Sequence, residues 1–151
     1  MDDAFYMKEA LAEARLALGC SEIPVGAAVA RGERIIGRGH NTRSLGNSPL
    51  GHAELNALFD AAKKINSWRF DDCRIYVTLE PCVMCSGALV QCRIGRIVFG
   101  AKDPKAGGCA SLYEIPRDPR MSHRCEVTGG VLAAECAELL RKFFEARRKT
   151  R

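Results

Sequence analysis

No apolar run in this sequence approaches the ~20 residues that a membrane-spanning helix needs, which argues against a helical anchor. The start, Met1-Asp2-Asp3, has none of the basic residues that open a secretory signal, so the expectation is a cytoplasmic protein with no membrane association. The chain also lacks internal repeats, low-complexity stretches and linker-like shifts in composition, and residues 1–151 are read as a single domain. A disulfide framework is disfavoured as well. There are eight cysteines, but 47% hydrophobic residues supply a full core, and a reducing compartment favours free thiols and a metal site. Outside one Cys-x-x-Cys, the remaining Cys20, Cys73, Cys92, Cys109, Cys125, Cys136, His40 and His123 do not pair with one another at ligand spacing. A structural zinc clip, which wants four protein ligands, therefore lacks an obvious fourth.

Charge is abundant and mixed. Charged residues make up 27% of the chain, close to the soluble average, with a net charge of +5 and a pI near 8.9. A mild basic excess of this kind shifts the reading only slightly toward a polyanionic partner such as RNA.

Hydrophobic spacing supplies the coarse architecture. Met7, Ala10, Leu11, Ala14, Ala17 and Leu18 line one face of a helix that Asp2 or Asp3 can cap and Gly19 can end. Residues 25–30 and 34–39 flank Arg31-Gly32-Glu33 and predict a hairpin. A loop rich in Asn, Ser, Gly and Pro leads from residue 41 to His52, where helical spacing returns with Leu55, Leu58, Phe59 and Ala62. Residues 73–79 alternate as a strand, with Pro81 read at the start of a short helix over 83–92. Residues 95–99 and 125–128 predict two further strands. A last helix over 131–148 carries Leu132, Cys136, Leu139, Leu140 and Phe143 as its buried stripe, and Trp68 is read as a core or dimer residue. Strands alternating with helices predict an α/β fold in three layers, α/β/α, around a mixed central sheet of about five strands.

Two short runs carry the chemistry: His52-Ala53-Glu54 and Pro81-Cys82-Val83-Met84-Cys85. Cys82 and Cys85, three apart at a helix start, share one face and can chelate one ion, and the helix N-terminus favours the thiolates that a metal needs. His52, at the start of another helix, is the third candidate ligand, and three ligands leave one tetrahedral position open for reaction. Glu54 lies two residues on, faces away from the direction of His52, and is placed instead to take a proton from an activated water and return it to a leaving group. The residues alone thus predict a zinc hydrolase. The competing reading from another class is an RNA-binding module with merely structural zinc, and Glu54 argues against it.

The pair H-x-E and P-C-x-x-C is the signature of the zinc-dependent nucleobase deaminases. The surrounding chain resembles the tRNA adenosine deaminase branch of the cytidine deaminase-like superfamily. The resemblance is carried by Val77 to Ala88, by Glu22-Ile23-Pro24-Val25-Gly26-Ala27, by Arg93-Ile94-Gly95-Arg96, and by Phe99 to Gly107. It implies a cytidine deaminase-like fold and hydrolysis of adenosine to inosine at the wobble position (34) of a tRNA anticodon, by zinc-activated water with Glu54 as proton shuttle. It further implies one zinc ion per subunit on His52, Cys82 and Cys85, a homodimer, and tRNA contacted through its anticodon arm. Asn41 matches the asparagine that bonds the flipped base, Ala53 is read with it as substrate-binding, and Asp103 matches an aspartate near the target sugar; without the resemblance, Asn41 and Asp103 read as turn residues. Phe144 and Arg147 belong to a basic, aromatic C-terminal helix (Arg141, Lys142, Arg147, Arg148, Lys149, then Arg151) that is read as contacting the anticodon stem. Ser48-Pro49-Leu50-Gly51 departs from the family's usual approach to the histidine. The rival within the fold is a deaminase of a free base, nucleoside or nucleotide.

Overall fold

The computed structural model describes residues 1–149, so Arg151 lies outside the described residues. Helix α1 (Asp3–Gly19) opens on Asp2, whose carboxylate accepts the Phe5 N–H at 3.0 Å. Strands β1 (Gly26–Arg31) and β2 (Arg34–His40) form the predicted hairpin. Its turn is two residues, Gly32-Glu33, rather than three, because Arg31 pairs with Arg34. Gly32 sits at φ +61°, a conformation that glycine adopts without steric cost. A register shift between Val29 and Ala30 then leaves Ile36 as the extra residue of a bulge.

Helix α2 (Ala53–Ile65), strand β3 (Cys73–Leu79), helix α3 (Val83–Gln91), strand β4 (Arg96–Ala101), a 3₁₀ turn (Ile115–Arg117), strand β5 (Glu126–Thr128) and helix α4 (Ala133–Lys149) follow. The sheet order is β2-β1-β3-β4-β5, with β1 antiparallel to both neighbours and β3, β4 and β5 parallel. One face of the sheet packs on α2 and α3 through Val29, Ala57, Ala61, Ile75, Val77, Leu89 and Ile97. The other packs on α1 and α4 through Tyr6, Met7, Leu11, Tyr76, Val98 and Cys136. This is the three-layer α/β/α arrangement with a mixed five-stranded sheet. Strand β3 is covered on both sides, so its alternation of Ile75 and Val77 with Tyr76 marks two buried faces rather than a wet one and a dry one.

Three details differ from the sequence reading. Pro81 lies outside α3, because Cys82 is the N-cap; the proline's carbonyl instead accepts the Gly108 N–H at 2.8 Å. Leu132 precedes α4 at φ +53°, which leaves Cys136 and Phe143 as the buried residues of that helix. Trp68 is 64% exposed and therefore not a core residue.

Asp3 fastens α1 to the sheet. Arg96 donates to both of its oxygens at 2.8 Å, the Tyr76 hydroxyl donates at 3.0 Å, and Arg96 also reaches Thr128 Oγ1 at 3.0 Å on β5. The Arg96 hydrogen bonds, working against burial, hold the Asp3 carboxyl below its ordinary value. Arg96→Ala is expected to cost about 1 kcal/mol at neutral pH. Because the folded value is depressed, that contribution is present above the unfolded carboxyl's pKa of about 3.9 and fades as pH falls through the lower folded value. Urea melts of wild type and variant, separate at neutral pH, should converge in acid.

Candidate active site

The two chemical runs meet because α2 and α3 begin at the same edge of the sheet. Gly39 sets the height of α2: a Cβ there would stand 2.4 Å from the Ala57 nitrogen and 2.6 Å from the Ala53 oxygen. The first turns of α2 therefore lie directly on the β2 backbone. His52 is the N-cap of α2 and Cys82 the N-cap of α3, both in extended backbone conformation, so each side chain projects beyond its helix end.

His52 Nδ1 lies 3.6 Å from Cys82 Sγ and 3.5 Å from Cys85 Sγ. A zinc ion with Zn–S of about 2.3 Å and Zn–N of about 2.0–2.1 Å gives a tetrahedral N···S edge of about 3.6 Å. The donor set is thus spaced to hold such an ion, with Nδ1 as the imidazole ligand. Among the described residues these three form the group of ligand atoms, all within 4.8 Å of one another, that could hold a metal ion. The electrostatics of the bare cluster point the same way. A hydrogen bond from Cys85 is the main cause that brings Cys82 down to about 3, with His52 adding to it. The Cys85 thiol is raised by that same hydrogen bond, by burial and by the nearby Glu54 carboxyl, while His52 is raised by its contact with Cys82. The cluster holds protons that a divalent cation displaces on binding.

Glu54, in the first turn of α2, is buried and abuts Cys85 rather than sharing the ligand set. Burial raises its carboxyl to about 7, where a group can both accept and release protons near neutral pH. His52, Glu54 and Cys82 all line one cavity of ≈ 220 Å³.

The remaining predicted residues fall into two groups. Asn41, Ala53 and Asp103 line that cavity. Asn41 Nδ2 donates to the Ile23 carbonyl at 3.3 Å, and its Oδ1 accepts the Arg43 N–H at 3.0 Å. Asp103 Oδ1 accepts the N–H groups of Lys105 and Ala106, both at 3.1 Å. Each is therefore a turn-forming residue and a wall of the cavity at once. Phe144 and Arg147 do not line it. They sit on α4, Phe144 43% exposed and edge-on to Phe143, with the Arg147 guanidinium 5.2 Å from the Phe143 ring.

Sequence reasoning gave no role to other wall residues, among them Ile23, Val25, Arg43 and Glu80. It also missed two buried carboxylates that hold the cavity's loops. Glu22 accepts the Ser44 N–H at 3.1 Å and the Leu45 N–H at 3.2 Å, fixing the loop after β2. Glu80 accepts N–H groups from Asp103, Cys109, Ala110 and Ser111. Burial alone would raise the Glu80 carboxyl, but the Ser111 hydroxyl and these N–H groups outweigh it and hold the group below its usual value. The signal available was position: Glu22 and Glu80 both fall inside runs that resemble the family.

The cysteines outside the ligand set are free. Cys73, Cys109, Cys125 and Cys136 are buried in the core, with thiols that burial pushes up to about 11–12. His40 pairs with Glu13 at 3.0 Å and His123 bonds the Ile94 carbonyl at 2.7 Å, so both serve packing.

Residues 1–148 match the family described as MafB19-like deaminase. A tRNA-specific adenosine deaminase of Streptococcus pyogenes serotype M18 (strain MGAS8232) is 43% identical over 148 residues, spanning 98% of this chain and 93% of that protein. The tRNA-specific adenosine deaminase of Bacillus subtilis (strain 168) is 42% identical over 147 residues, 97% of this chain and 91% of that one. A solved structure from biochemical and structural studies of A-to-I editing by tRNA:A34 deaminases at the wobble position of transfer RNA matches with a TM-score of 0.86. It is 36% identical and covers 90% of this chain and 99% of the other.

Proposed function

This chain belongs to the MafB19-like deaminase family and to the tRNA-specific adenosine deaminases, and from that premise we propose how its residues carry out the reaction. The reaction is hydrolysis of adenosine to inosine at the wobble position (34) of a tRNA anticodon, consuming water and releasing ammonia. The observation that carries this reading is a buried acid, Glu54, set against a three-donor cluster whose His52 and Cys82 face the same cavity.

Zinc is the ion assigned to His52, Cys82 and Cys85, on the strength of their thiolate and imidazole chemistry and their 3.5–3.6 Å edges. Bound there, it supplies a Lewis acid that makes water a competent nucleophile near neutral pH. Glu54 takes the proton that the attacking water loses, places it on the ring nitrogen beside the reacting carbon, and delivers the next to the departing ammonia. Its burial matches this task by bringing its carboxyl to about 7. Asn41 and Ala53 bind and orient the base in the cavity, and Asp103 borders the sugar. A flipped nucleotide is the form in which such a site receives its base.

The partner is tRNA, met through its anticodon arm, and the place of action is the cytoplasm. Among the described residues no helix is long and apolar enough to cross a membrane. The assembly is a homodimer. Support for it lies in Leu50, Phe59 and Trp68, which are 58%, 68% and 64% exposed and line one groove beside α2. Phe144, Arg147 and Arg148 on α4 contact the anticodon stem. Reversing Arg147 and Arg148 to Glu should weaken binding of an anticodon stem-loop and flatten its salt dependence. Each lost phosphate contact removes about 0.7–0.9 from the slope of log K against log salt, read by fluorescence anisotropy across a salt series. An unchanged slope would take α4 out of the RNA surface.

Sequencing a cell's tRNAs with and without the gene tests the whole reading. The wobble position of the target tRNA should read as inosine only when the protein is present. Persistence of inosine in its absence would contradict the proposed function.

A further inference from the structure

We propose that Glu80 is a positioning residue for the substrate: its carboxylate is the template on which the loop over residues 103–111, one wall of the cavity, is folded. The proposal rests on the deaminase reading above. Glu80 ends β3 directly before Pro81-Cys82, and its own N–H continues the sheet by donating to the Ala101 carbonyl at 2.8 Å. Its side chain is 2% exposed and turns toward the loop. Oε1 accepts the Asp103 N–H at 3.1 Å, and Oε2 accepts the N–H groups of Cys109 at 3.2 Å, Ala110 at 2.8 Å and Ser111 at 2.9 Å. The Ser111 hydroxyl also donates to Oε1.

Residues 103–111 contain no helix or paired strand beyond an isolated bridge between Gly107 and Cys82. Buried backbone N–H groups without regular structure need an acceptor, and here one carboxylate serves several of them. Gly107 shows how closely the loop wraps it: a Cβ there would lie 2.3 Å from Glu80 Oε2. The bridge to Cys82, with Gly108 N–H donating to the Pro81 carbonyl at 2.8 Å, ties the same loop to the strand end that presents the ligands. Asp103 and Ala106, which the loop contributes to the cavity wall, are thereby held in register with His52 and Cys82 on the same cavity. A neutral amide of the same shape can do this only in part: its one oxygen can take the N–H groups of Cys109, Ala110 and Ser111, but its NH₂ then faces the Asp103 N–H and accepts nothing from it.

Glu80→Gln tests the assignment on the full-length, zinc-loaded enzyme, with Ser111→Ala as the milder variant that removes only the hydroxyl donor. The expected result for Glu80→Gln is a KM for a wobble-adenosine stem-loop raised about tenfold, the loss of roughly one charged hydrogen bond's worth of order. Its kcat should fall by less than about threefold and its zinc content should stay at wild-type level. Ser111→Ala should move KM in the same direction by less. Hydrogen exchange of the amides over 103–111 should quicken in Glu80→Gln while exchange in α2 and α3 stays as in wild type. Loss of kcat or zinc at unchanged KM would overturn the proposal by placing Glu80 in support of the metal and Glu54 instead. So would unchanged exchange in the loop. If Glu80→Gln fails to fold, Ser111→Ala carries the same test, and a wild-type KM there overturns it. A wild-type enzyme inactive on the stem-loop would refute the substrate, and the exchange comparison would still decide the role of Glu80.

Discussion

Glu54→Ala is expected to lower turnover by about 10²–10⁴-fold, the range over which a positioned acid–base group contributes, with zinc content and RNA affinity kept. The expectation follows from where the carboxyl sits. It is buried at the head of α2, against Cys85, yet outside the donor set formed by His52, Cys82 and Cys85. Removing it takes away a proton carrier and no metal ligand. Stability should change little, because relief from burying a desolvated acid offsets the cost of the small cavity left in its place. Three readouts separate the alternatives: kcat on a stem-loop, metal by elemental analysis, and melting temperature. Normal turnover would remove Glu54 from the chemistry, and loss of zinc would make it a ligand or a support for one.

Cys82→Ser should have the complementary profile. The change keeps the N-cap and the approximate shape, but replaces a sulfur that sits 3.6 Å from His52 Nδ1 with a hydroxyl that ionises far less readily. Loss of a ligand should exceed the ~10–100-fold drop in metal affinity that outer partners of a ligand typically cause. Purified Cys82→Ser should therefore carry little zinc and show little activity, with partial recovery at high added metal. Competition with a chromophoric chelator reads the affinity. Wild-type zinc retention in Cys82→Ser would show that the ion is held elsewhere.

The same two cases show which parts of the molecule were legible beforehand. His52, Glu54, Cys82 and Cys85 are readable because their spacing is local: two short runs, each at a helix start, carry both the ligand geometry and the acid. The layer order was equally readable, since the alternation of period 2 and period 3.6 survives in the residues that face each core. Glu80 was not readable as a scaffold. Apart from the Ser111 hydroxyl, its partners are backbone N–H groups 23 to 31 residues away, which carry no side-chain signature. Glu22 escaped for the same reason, holding Ser44 and Leu45 across the hairpin. Asn41 and Asp103 illustrate a different limit. Local chemistry marks both as turn residues, which they are, and only the family resemblance marks them as cavity wall. Trp68 reads as a core or dimer residue because hydrophobicity alone does not tell a buried ring from an exposed one; its place at the surface beside Phe59 excludes only the core.

The central claim is that this site deaminates a wobble adenosine held in RNA rather than a free base. Purified, zinc-loaded protein incubated separately with an anticodon stem-loop carrying adenosine at position 34, with free guanine and with free cytosine tests it directly. Mass spectrometry of the stem-loop should show conversion to inosine at that one nucleotide, with matching ammonia release and no product from either base. Ammonia released from guanine or cytosine while the stem-loop stays unchanged would contradict the account.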